Sequence, residues 1–69
     1  MKVEEFIFDL EQTVEYKGEP NVIIGRAQYI NKQKLYFIQP IDKYFKKGLD
    51  FTVCFWAHED EISLPDDKD

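Results

Sequence analysis

The sequence predicts an all-β fold, a small barrel of about five antiparallel strands. Three observations carry this expectation. Several short runs alternate apolar with polar residues, and strong turn chemistry separates them. The 69 residues also include six Phe, four Tyr and one Trp. A chain of this length holds one domain and buries only ~60% of the surface its unfolded form exposes. Each aromatic removes on the order of 150–250 Å² from water, so this composition suits a thin but aromatic core.

The first element is the least decided. Phe6, Phe8, Leu10, Val14 and Tyr16 share one parity and Asp9, Glu11, Glu15 and Lys17 the other, as in a half-buried strand. Val3, Phe6, Ile7, Leu10 and Val14 also recur at helical steps, with Glu4 and Glu5 suited to a first turn. Enrichment in aromatic and β-branched residues favours the strand, while residues 2–12 stay open to either reading. The stretch from Lys17 to Asn21 then reverses the chain, because it contains both Gly18 and Pro20.

The run from Val22 to Ile30 is the second strand. Gly25 in its interior predicts a bulge, and Ala27 adds a second small residue where a barrel strand must bend. Both are read as architectural, with Arg26 between them pointing outward. The polar stretch from Asn31 to Lys34 is a hairpin loop. Leu35 to Gln39 returns as the third strand, ended by Pro40. A basic connection from Ile41 to Asp50 follows, containing Tyr44 and Phe45 and closed by Gly48. Phe51, Val53, Phe55 and Ala57 alternate with Thr52, Cys54, Trp56 and His58 as a further strand. His58 to Glu61 reads as one 3-10 turn, and Ile62 to Leu64 as a short last strand. The expected domain is 1–64, and 65–69 form a polar, acidic tail that frays.

Charge is segmented. Residues 1–25 hold 2 basic against 6 acidic side chains, residues 26–50 hold 6 against 2, and residues 51–69 hold 1 against 6, for a net charge of −5. Acidic and basic strands lying side by side would balance such blocks internally. Alternatively, Arg26, Lys32, Lys34, Lys43, Lys46 and Lys47 would grip an acidic partner. Cys54 is the single cysteine, and no charged n-region with an apolar h-region opens the chain, so a cytoplasmic location is expected. No apolar run approaches the ~20 residues of a membrane span.

Catalytic and metal chemistry find little support. His58 is the lone histidine. Cys54 and His58, four apart on an extended segment, would stand ~13 Å from each other, beyond hydrogen-bond reach. Carboxylates crowd Glu59, Asp60, Glu61, Asp66, Asp67 and Asp69 without the alternation and glycine of a cation loop. Gly18, Gly25 and Gly48 lie in separate segments, so no phosphate loop forms. The expectation is a protein without enzymatic activity, metal or cofactor.

Several segments together resemble a known family. Phe8, Asp9 and Leu10 with Val14, VIIGRAQY at Val22 to Tyr29, LYFIQP at Leu35 to Pro40 and WAHEDEI at Trp56 to Ile62 are similar to short bacteriophage-encoded proteins with an SH3-like or Tudor-like barrel. Those proteins show a G-R-A-x-Y strand, a Y-x-[VI]-x-P return strand and a closing W-[FV]-x-E-x-x-[LI] segment. Gly25, Arg26, Ala27 and Tyr29 fall on the first pattern, Tyr36, Ile38 and Pro40 on the second, and Trp56, Glu59 and Ile62 on the third. Ala57 departs from it, as does the basic insert from Lys43 to Gly48. The resemblance implies an SH3-like barrel and a phage accessory protein.

The functional expectation is a protein-interaction module acting on a host or phage protein. Binding energy concentrates in Trp, Tyr and Arg, which selects Arg26, Tyr36 and Trp56 as anchors, with Tyr44, Lys46 and Lys47 from the basic connection beside them. Two alternatives involve nucleic acid. Acidic termini would imitate its phosphates and block a DNA-binding host protein, or the aromatics would stack on bases directly. The negative net charge ranks direct nucleic-acid binding below protein binding. An exposed strand edge would also permit a homodimer.

Overall fold

The computed structural model describes residues 6–65. Five antiparallel strands form one sheet: β1 Thr13–Tyr16, β2 Glu19–Gln28, β3 Lys34–Pro40, β4 Phe55–His58 and β5 Ile62–Ser63, in the order β4-β3-β2-β1-β5. The two edge strands are consecutive in the chain, joined only by a 3-10 turn at Glu59–Glu61. That link reaches at most ~14 Å. The edges of a flat five-stranded sheet would stand ~19 Å apart. The sheet therefore curls into a half-barrel, the SH3-like architecture expected.

Local chemistry accounts for the hairpins and the bend. Tyr16 pairs with Glu19 across Lys17 and Gly18, whose φ values of 52° and 82° are both positive, as a two-residue type I′ turn requires. Pro20 lies within β2 rather than in the turn. The β2–β3 register shifts between Ile23 and Gly25, which makes Ile24 the extra residue of the anticipated bulge. Asp9 and Leu10 were expected to continue a strand from Phe6 to Tyr16. Instead, Gln12 N–H returns to the Asp9 carbonyl at 3.2 Å, with Glu11 at φ 69°, so residues 6–12 form neither strand nor helix. Residues 2–5 and 66–69, parts of the opening element and the expected tail, lie outside the described residues.

The basic connection also differs from expectation. Ile41–Lys47 is an α-helix, α1, entered from Pro40 and ended at Gly48, whose φ is 78° and whose N–H donates to the Tyr44 carbonyl at 2.8 Å. Pro before the first turn, Asp42 within it, Lys46 and Lys47 in the last turn and Gly beyond are the expected boundary residues of a helix. Phe51–Val53, read as strand, is a 3-10 turn capped by Asp50, whose carboxylate accepts from Thr52 N–H at 3.0 Å and Thr52 Oγ1 at 2.6 Å. The cap wins over the alternation. Only Phe55–His58 keeps the strand.

The core fills the inner face. Phe8, Val14, Ile23, Tyr36, Ile38, Ala57 and Ile62 are buried together, with Phe6, Tyr16 and Phe55 packed against them. Gln39 is a fully buried polar residue. Its Nε2 donates to the Gly48 carbonyl at 3.0 Å and its Oε1 accepts from Asp50 N–H at 3.2 Å. It thereby ties the segment after α1 to the sheet, satisfying backbone groups that neither helix nor ladder can pair.

Candidate functional site

Residues directly opposite in an antiparallel pair share a face. Arg26 pairs with Tyr36 and Tyr36 with Ala57, so all three belong to the inner side. Gly25 pairs with Phe37 and Phe37 with Trp56 on the outer side. Phe37 stands 4.7 Å from Trp56 and 6.1 Å from Phe51 between ring centroids, the latter pair inclined by 22°. The three rings make a continuous outer row in which Trp56 is 51% and Phe51 65% exposed. Gly25 keeps the surface low beside Phe37: a Cβ there would stand 3.4 Å from Phe37 Cβ.

No protein-family model, curated protein or solved structure matches this chain.

Of the residues selected from sequence, Trp56 alone joins this row. Tyr36, expected as an exposed anchor, is fully buried because it has the inner parity of Ile38. Its hydroxyl donates to Glu59 Oε2 at 2.6 Å and accepts weakly from Phe8 N–H at 3.4 Å. Burial, then the bond to the Glu59 carboxylate, pushes its pKa up to about 12. Arg26, expected to point outward, turns inward because the bulge changes the parity of β2. Its Nη1 donates to the Phe8 carbonyl at 3.2 Å, its guanidinium lies 4.9 Å from the Phe6 ring centre, and Asp9 approaches it at 3.6 Å. Arg26 clamps the 6–12 segment over the core.

Tyr44, Lys46 and Lys47 are carried by α1 and not by the strands that hold the two inner residues. Lys43, Lys46 and Lys47 line a cleft of about 300 Å³ with Asp42, Asp50 and Val53. The Asp50 carboxyl is held below the usual carboxylate range by its bonds from Thr52, with smaller help from Lys47 and Lys43. This cleft adjoins the Phe51 end of the aromatic row through Asp50. Phe37 and Phe51 were missed in the sequence. Phe37 was legible from its parity, opposite to Tyr36 and Ile38, whereas Phe51 depended on the unrecognised 3-10 turn.

Cys54 Sγ donates to the Asp50 carbonyl at 3.2 Å, and burial, then the Asp50 charge, pushes its thiol up. That favours the unreactive thiol over the thiolate. Among the described residues no three His, Cys, Asp or Glu side chains converge as a metal site. No described helix is long and apolar enough to cross a membrane.

Proposed function

We propose that the chain is a non-catalytic interaction module that binds a protein partner, host or phage, through the outer aromatic row. The supporting observation is the exposure of Trp56 and Phe51 on either side of Phe37. Together they leave ~250 Å² of aromatic surface in water on a sheet face that needs no further cover to fold. Trp is the residue type most enriched among binding hot spots, and a rigid row loses little side-chain entropy on docking. The lysines of α1 at one end favour a partner with acidic residues beside its apolar contact.

The near-parallel pair Phe37 and Phe51, beside lysines, favours a second reading in which single-stranded nucleic acid stacks on the row. The net charge of −5 opposes it. The two readings separate in one experiment. Proteins captured from bacterial lysate by the wild type are compared with those captured by Trp56→Ala, Phe51→Ala and, as a control, Ile30→Ala, which removes an exposed side chain in the β2–β3 loop. Titration of the purified captured protein is then followed by the emission of Trp56, the chain's only tryptophan. The expected result is a specific protein lost with the first two variants, a blue shift on binding and no competition from excess oligonucleotide. Competition by oligonucleotide supports nucleic-acid binding or mimicry, and capture unaffected by either aromatic variant rejects this surface.

A further inference from the structure

Away from the aromatic row, two clefts of about 240 and 370 Å³ adjoin beside α1. Glu11 and Tyr44 line both, with Val22 and Phe45 in the first and Leu10 and Leu49 in the second. They are two halves of one groove meeting at a carboxylate and a phenol ring. The helix is unfinished on this side: no residue of α1 is buried, and Phe45, Leu10 and Leu49 are 78%, 51% and 50% exposed. These three leave roughly 300 Å² of apolar surface, the size at which a patch on a monomer is often functional.

Glu11 is an unusual choice for its position. It occupies the third place of the turn from Asp9 to Gln12 at φ 69°, fixed by its N–H bond to the Ile23 carbonyl at 2.7 Å. Glycine takes this conformation without steric cost, and any side chain there costs ~1 kcal/mol. The Glu11 carboxylate has no hydrogen-bond or ion-pair partner among the described residues. A strained residue thus presents an unpaired anion between two apolar half-grooves.

We propose that this groove binds a basic peptide segment flanked by apolar residues. An Arg or Lys head pairs with the Glu11 carboxylate while its stem lies along the Tyr44 ring. The neighbouring apolar side chains occupy the two halves, against Leu10 and Leu49 on one side and Val22 and Phe45 on the other. The lysines of α1 line the separate cleft with Asp42 and Asp50, and the net charge of −5 attracts such a segment over distance.

The test is an amide-shift titration of the ¹⁵N-labelled full chain with short acetylated peptides carrying a central Leu-Arg-Leu, Leu-Gln-Leu or Leu-Glu-Leu. Expected are shifts at Glu11, Thr13, Ile24 and Leu49 with the Arg peptide, and binding about tenfold or more weaker with the other two. Glu11→Gln weakens the Arg peptide by a similar factor, and Trp56→Ala leaves it unchanged. Glu11→Gly removes strain and carboxylate together, so it melts higher than the wild type yet loses the preference for Arg. A purely structural Glu11 would gain stability with binding unaltered. Shifts centred on Trp56 and Phe51, equal affinity for the Glu peptide, full binding by Glu11→Gln, or no shifts at ~5 mM Arg peptide would each overturn the proposal.

Discussion

Single residues hold this small core together through polar bonds as much as through packing. Tyr36 carries both, since its ring meets Phe6 and Phe8 edge-on at 5.7 and 5.3 Å while its hydroxyl reaches Glu59. Tyr36→Phe keeps the ring and removes the hydroxyl, so it is expected to cost about 1–3 kcal/mol in denaturant unfolding, with Glu59 left without its donor. The pH dependence follows from the burial of this hydroxyl and, after it, from the same bond. A tyrosine with a folded pKa of about 12 against an ordinary 10.0 favours the protonated state in the fold. Its contribution is full below pH ~10 and is lost as pH rises towards ~12, a loss of roughly 2–3 kcal/mol. The wild type should therefore lose stability across that alkaline window, and Tyr36→Phe should lose less. Equal alkaline slopes would show that ionisation of the Tyr36 hydroxyl is not what the pH reads. Gln39 makes a second prediction. Gln39→Leu fits the volume but strands the Gly48 carbonyl and Asp50 N–H, for an expected cost of about 2–4 kcal/mol and faster hydrogen exchange at Asp50.

Elements were legible where local chemistry and tertiary context agree. The bulge beside Gly25, the turn containing Gly18 and the 3-10 turn after His58 were legible from residues that permit them: a glycine that lets Phe37 pack close, a glycine at positive φ, and a short polar run between two strands. Three readings failed, each where alternation or its absence was followed and another signal decided the structure. Phe6 to Leu10 alternates as a strand would, yet Arg26 draws its backbone across the core as a clamped strap. Phe51 and Val53 alternate too, yet Asp50 caps a turn. Ile41–Lys47 carried helix boundary residues but spans only seven positions, too few for a periodic pattern to declare itself. The orientation of Arg26 was illegible for a different reason, since parity across a bulge depends on the partner strand, whereas the inward orientation of Tyr36 was legible in the parity it shares with Ile38. The strap gives an element-scale prediction. Arg26→Met keeps an apolar stem but loses the bond to the Phe8 carbonyl and the contact with Phe6, so amides of residues 8–12 should exchange faster, by about 1–2 kcal/mol of local stability. Asp9→Asn should change little, because Asp9 is 86% exposed and the pair is screened by water. Equal effects of the two substitutions would mean that the exposed ion pair, not the inward bonds, holds the strap.

For the whole molecule, a half-barrel leaves two edges that could recruit a second copy. Both are short: β4 has four residues and β5 two. The β4 edge is further blunted. His58 N–H donates to Glu61 Oε1 at 3.0 Å, so it faces away from β3, and strand alternation turns Trp56 backbone groups the same way. One of the two outward amides is thus occupied by the side chain of the turn that closes the sheet. The same turn forces the sheet to curl and protects the edge that curling leaves open. Partner binding is then expected on the outer face and groove, with the wild type monomeric in sedimentation at ~100 µM, a concentration at which weak strand pairing would show. Glu61→Ala exposes the His58 amide and should raise the weight-average mass with concentration while leaving Trp56 emission in the dilute protein unchanged. A dimeric wild type, or a Glu61→Ala variant that stays monomeric to millimolar concentration, would show that the Glu61 bond does not guard this edge.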